Sequence, residues 1–128
     1  LHYTNKEEKS IKMNPKEIKQ FLKKFIHRSE SWAIGIYVVD SSLHPKPAPN
    51  IRNPVLTAKH ITDIRAEFVA DPFIVHRDNL WYMFFEALNI NDGLGAICLA
   101  TSPDGFNWNY QQVVLDEPFH LSYPYIFE

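Results

Sequence analysis

The sequence predicts a mainly β chain: a partial β-propeller with one whole blade and the first strand of the next, preceded by an amphipathic helix. Three observations carry this. Ala70-Asp71-Pro72-Phe73-Ile74-Val75 is echoed by Ser122-Tyr123-Pro124-Tyr125-Ile126-Phe127, the prolines 52 residues apart. A period near 50 residues is the length of one four-stranded blade. Short runs rich in β-branched and aromatic residues follow one another from the first copy to the second, separated by turn signals. Upstream, Ile18, Phe21, Leu22, Phe25 and Ile26 recur at spacings of three and four, which makes one apolar helical face.

The elements follow in order. Asn14, Pro15 and Glu17 read as N-cap, first helical residue and capping-box partner of that helix. Lys16, Lys19, Lys23 and Lys24 lie mostly off the apolar face, so the helix is expected to dock on a neighbouring surface with its lysines in water. Trp32 to Val39 reads as a strand and closes a first unit over residues 1–40. Residues 41–66 read as a connection; its proline-dense part to about residue 56, with His44-Pro45-Lys46-Pro47-Ala48-Pro49 and Pro54, reads as extended and without backbone hydrogen bonds, and the sequence leaves the structure of 57–66 open. The blade occupies 67–128. Its strands are expected at Phe68 to His76, Leu80 to Ala87, Leu94 to Thr101 and Trp108 to Leu115. Arg77-Asp78-Asn79, Asn89 to Gly93 and Ser102-Pro103-Asp104-Gly105 supply the turns, because Pro sets φ and Asp-Gly accepts left-handed geometry. One blade cannot cover both its faces. The remaining blades are therefore expected partners, and the blade alone is expected to self-associate. A β-sandwich fragment would share the strands but not the echo.

Composition narrows function by exclusion. The chain has 128 residues and a net charge of −2, which argues against a nucleic-acid surface. Residues 1–30 carry eight Lys or Arg against four Glu; the remainder carries five against eleven acidic groups. An acidic body suits a carboxylate-lined sugar site. No apolar run approaches membrane-spanning length, so no transmembrane segment is expected. The six histidines show no metal-ligand spacing, and no cofactor motif is present. Cys98, the single cysteine, sits mid-strand among apolar residues and reads as core.

Asp71-Pro72 opening a strand, the aromatic run Trp81-Tyr82-Met83-Phe84-Phe85-Glu86, and Ala100 to Trp108 resemble the five-bladed propellers of the furanosidase superfamily (glycoside hydrolase families 43, 32 and 68). His120 to Glu128, taken with Ala70 to Phe73, is similar to the propeller domain on the N-terminal side of glucosamine inositolphosphorylceramide transferase-like proteins. The resemblance covers residues 67–128. It implies a saccharide or glycoconjugate partner.

Asp71 is the leading candidate site residue. The residue before a proline is pushed toward extended backbone, and proline in a sheet sits at a strand start or edge. Both place Asp71 near the mouth of a central channel. In the resembling hydrolases the aspartate of this motif is the general base or nucleophile, so Asp71 carries that expectation; capping a turn is its plain structural alternative. Glu86 ends the second strand. It sits beside Asp71 as a weaker catalytic candidate or, the favoured placement, at the blade rim or in a supporting hydrogen bond. Family 43 enzymes often repeat Asp-Pro in the second blade, where this sequence has Tyr123. Tyrosine supplies no charge at neutral pH, its ordinary pKa being about 10. His120, Tyr123 and Tyr125 are candidate sugar contacts by stacking and hydrogen bonding; Tyr125 would otherwise pack between blades. Asp104 and Trp108 read as structural members of their turn. Three functions stay open: a carbohydrate-active domain that binds glycan or hydrolyses glycosides at Asp71; a non-catalytic propeller that binds glycan or scaffolds a transferase; and an interaction module of unrelated all-β fold.

Overall fold

The computed structural model describes residues 14–16 and 32–127. Among the described residues six strands form two antiparallel sheets. A two-stranded ribbon pairs β1 (Tyr37–Val39) with β2 (Pro45–Pro47). A four-stranded meander runs in sequence order through β3 (Ala66–Arg77), β4 (Leu80–Asn89), β5 (Gly95–Ser102) and β6 (Asn109–Leu115). The four strands of the meander thus stand within two residues of their expected ends. The N-cap reading of Asn14 holds locally, since its Oδ1 accepts the Lys16 N–H at 3.0 Å and Pro15 and Lys16 are helical. The expected continuation of that helix lies outside the described residues.

Two expectations fail upstream of the meander, for the same reason. The strand expected over Trp32 to Val39 is reduced to Tyr37–Val39 plus an isolated bridge between Ile34 and Leu56. Between them, the Asn53 side chain replaces a strand partner. Its Oδ1 accepts the Ile36 N–H and its Nδ2 donates to the Ile36 carbonyl, both at 2.8 Å. The proline-rich stretch is correspondingly not free of pairing. Pro45–Pro47 forms β2, which a ribbon permits because prolines are tolerated on edge strands. Ala48 and Leu56 are buried, 3% and 0% exposed.

Alternation along β4 sorts the meander into two faces. Met83, Phe85 and Ala87 point to one face, beside Val69 of β3 and Cys98 and Ala100 of β5. Ile34, Leu56 and Ile61 cover that face and complete the core. Phe85 and Met83 are fully buried, each worth roughly 1.5–3 kcal/mol of apolar transfer. Cys98 is buried among them, and that burial pushes its thiol up to about 12, as suits a core residue and not a nucleophile. The opposite face carries Ala70, Phe73, Tyr82, Phe84 and Glu86.

The turn before β6 is built as expected. Asp104 Oδ1 accepts the N–H groups of Phe106 and Asn107, both at 2.8 Å, and the Ser102 hydroxyl at 2.9 Å. These bonds, the Asn107 amide foremost, hold the Asp104 carboxyl far below the usual range. Ser102 Oγ in turn accepts the Gly105 N–H at 2.9 Å, and Trp108 Nε1 donates to the Gly105 carbonyl at 3.1 Å. Gly105 has φ +77, and a β-carbon there would press on the Trp81 ring at 3.3 Å. Ser102 is 0% exposed. Ser102→Ala is therefore expected to strand buried donors and cost roughly 1–3 kcal/mol, read from the urea midpoint.

Candidate functional site

The site is set by a break in β3. Ala70 pairs with Glu86 and Phe73 with Phe84, so three steps on β3 oppose two on β4. The extra residue makes a bulge at Asp71-Pro72, where proline's missing N–H costs no ladder bond. Asp71 is not extended, as expected of a residue before proline, but has φ +51. The bulge overrides the local preference and re-aims the Asp71 side chain. Tyr123, its counterpart in the echo, has φ +51 as well.

Glu86 does not lie at a rim. It is 4% exposed, between Ala70 and Ile97 on the neighbouring strands. Its Oε1 lies 3.2 Å from His120 Nε2. His120 Nδ1 accepts the Gly95 N–H at 3.0 Å. A nitrogen that accepts cannot carry the ring proton, so the neutral tautomer with Nε2–H follows, and this N–H donates to Glu86. Burial is the main cause that raises the Glu86 carboxyl above its ordinary 4.5; His120 opposes the rise, and Asp71 adds to it by hydrogen bonding and by charge. Ser122 Oγ donates to Asp71 Oδ2 at 3.4 Å. Asp71, Glu86, His120 and Ser122 thus form one polar cluster. Asp71 and Ser122 are half-buried and the His120 side chain is 48% exposed, so a ligand can reach all three; Glu86 stands behind them.

Gly95 holds this cluster together. Its carbonyl accepts the Leu121 N–H at 2.9 Å while its own N–H binds His120. A β-carbon there would sit 2.2 Å from the Leu121 carbonyl oxygen, 3.0 Å from Glu86 Oε1 and 3.1 Å from the His120 ring. Only glycine admits the 120–122 segment so close to β5.

The two tyrosines stand in solvent. Tyr123 is 78% and Tyr125 74% exposed, and Tyr125 meets Phe73 edge-on at 5.3 Å between ring centres. Sequence reasoning missed Ser122 and Gly95. The echo offered a signal for Ser122, a hydroxyl standing where the first copy has Ala70. Gly95 had none, because its partner is 26 residues away. Among the described residues no group of three His, Cys, Asp or Glu could hold a metal, and no helix is long and apolar enough to cross a membrane.

An antiparallel meander with a polar cluster built on a bulged first strand defines a mainly β domain with a candidate ligand site on one face. Residues 26–128 match the family model described as glucosamine inositolphosphorylceramide transferase 1, N-terminal, and the chain belongs to that family. It is 36% identical over 113 residues to glucosamine inositolphosphorylceramide transferase 1 of Oryza sativa subsp. indica, and equally to that of subsp. japonica. It is 33% identical over 112 residues to the Arabidopsis thaliana protein of that name. These alignments cover 76–77% of this chain, which spans 15% of the length of those relatives. No solved structure matches it.

Proposed function

We propose that this chain is the saccharide-recognising part of a glycosyltransferase-associated protein, its meander one blade of a five-bladed propeller. Sugar hydroxyls bind at Asp71, His120 and Ser122, and Glu86 positions His120. The observation that carries this reading is the cluster itself: adjacent acceptors and donors, partly open to solvent, on a backbone held at positive φ. Such backbone gathers at ligand sites. The relatives' name joins glucosamine, inositolphosphorylceramide and transferase, so the ligand class is a glycoconjugate. Exposed Tyr123 and Tyr125 offer rings for stacking beside the cluster.

The propeller reading is supported by the way the echo packs. Ser122 meets Asp71 and Tyr125 meets Phe73, so the second copy runs beside the first in the same direction. The first strands of consecutive blades would lie so around a channel. Ile34, Leu56 and Ile61, which flank the ribbon and the 3-10 turn at Ala58–His60, cover one face of the blade.

Recognition is favoured over glycoside hydrolysis by the spacing of the carboxylates. Asp71 and Glu86 share one cluster, close enough that Asp71 pushes the Glu86 carboxyl up by hydrogen bonding and by charge. The acid and nucleophile or base of a glycosidase stand about 5–9.5 Å apart, on opposite sides of the bond. Nor does Tyr123 supply a second carboxylate. The test is a glycan array and a glycosidase-substrate screen on the full-length protein, beside Asp71→Asn. Saccharide binding without turnover is expected, with affinity at least about tenfold lower in the variant. Turnover that Asp71→Asn abolishes would replace recognition with hydrolysis.

A further inference from the structure

A second polar cleft lies away from the carboxylate cluster. It has a volume of about 480 Å³ and is lined by, among others, Asn50, Arg52, His60, Asn107, Trp108 and Asn109. No Asp or Glu lines it. That is unexpected in this part of the chain, since residues 32–127 carry ten Asp or Glu against five Lys or Arg. Among the described residues Arg52 makes no ion pair. Thr57 donates its backbone N–H to His60 Nδ1 at 3.0 Å, so the His60 ring proton stands on Nε2 as a donor. Trp108 Nε1 is engaged by Gly105, so this residue offers the cleft its ring and no donor. The carboxylate nearest in sequence, Asp104, lines an adjoining cleft. Both of its oxygens are taken by the Ser102 hydroxyl and by Phe106 and Asn107 N–H groups.

We propose that this cleft binds a phosphate-bearing ligand, with Arg52 and His60 as its anion-binding donors and the asparagines as partners for hydroxyl or amide groups beside the phosphate. A guanidinium matches a phosphate with paired donors on one plane. A cavity of this volume holds a body larger than the phosphate alone. The site is independent of the saccharide site at Asp71.

The test is a titration of the full-length protein with inorganic phosphate, a sugar 1-phosphate, a nucleoside diphosphate and phosphatidylinositol vesicles, followed by calorimetry and by NMR of the Arg52 and His60 side chains. Saturable binding of at least one probe is expected, with both side chains perturbed; the tightest probe identifies the source of the phosphate. Arg52→Gln should weaken binding at least about tenfold, whereas Lys59→Gln, an exposed neighbour, should change it less than about twofold. Asp71→Asn should leave it unchanged, which separates this site from the saccharide site. The proposal is overturned if no probe saturates, or if Lys59→Gln weakens binding as much as Arg52→Gln, which would mark diffuse attraction.

Discussion

Gly95→Ala is expected to cost about 3 kcal/mol or more and to take the polar cluster apart. Overpacking a filled site usually costs about 1–3 kcal/mol. Here the added carbon meets a backbone carbonyl at 2.2 Å, which no rotamer change relieves. Relief requires the 120–122 segment to move off β5, breaking the Leu121 bond, the His120 bond to Gly95 and the His120 contact to Glu86. Gly93→Ala makes the comparison. Gly93 has φ +72 with nothing within 4 Å of an added carbon, so only backbone strain of about 1–2 kcal/mol applies. Thermal unfolding of the two variants checks the difference. Equal losses would mean that the close approach of 120–122 to Gly95 is not rigid.

The second large effect concerns Glu86. Its folded carboxyl titrates above its unfolded value of 4.5, with burial as the main cause. The neutral form is therefore the one the fold prefers. The stability it contributes is fully present below the unfolded value and is lost as pH rises through the folded one. Asp63 has the opposite sign. Partial burial pushes its carboxyl up, but the Tyr110 hydroxyl and the Val113 N–H hold it below its ordinary 3.8. Its contribution is present above that value and is lost as pH falls through the folded one. Stability should thus rise as pH falls through the folded Glu86 value toward 4.5 and decline once pH falls below 3.8. Glu86→Gln removes the first limb and leaves the second. The glutamine amide oxygen still accepts the His120 Nε2–H, and no charge is buried. A gain of roughly 1 kcal/mol at pH 8 is expected, accompanied by weaker saccharide binding. Urea unfolding at pH 5 and pH 8 measures it. A variant no more stable than the parent at pH 8 would show that Glu86 carries no desolvation cost.

What was legible in the sequence was local. Alternation in Trp81 to Ala87 and the Ser102 to Trp108 turn specify neighbours a few residues apart, and strands and turn formed as read. What was not legible depended on partners far along the chain. Asn53 takes the ladder role at Ile36, 17 residues away, where a longer first strand was expected, and Pro45–Pro47, read as unpaired, pairs with Tyr37–Val39. Asp71 was expected to be extended because a residue before proline is, yet the bulge that Pro72 imposes on β3 turns it to positive φ. Glu86 was placed at a rim, in a supporting hydrogen bond or beside Asp71, because nothing near it in sequence announces that 120–122 will cross over it. Asp71, Glu86 and His120 were each singled out, and Glu86 beside Asp71 was one reading; the meeting of Glu86 with His120, through Gly95, was not.

An NMR titration of the full-length protein with the tightest saccharide from the array tests the central claim most directly. If the cluster is the saccharide site, shifts should concentrate at the Gly95 amide, the His120 ring and Ser122, and vanish in Asp71→Asn. Shifts centred instead on Arg52 and His60, or saccharide binding that Asp71→Asn leaves intact, would contradict it.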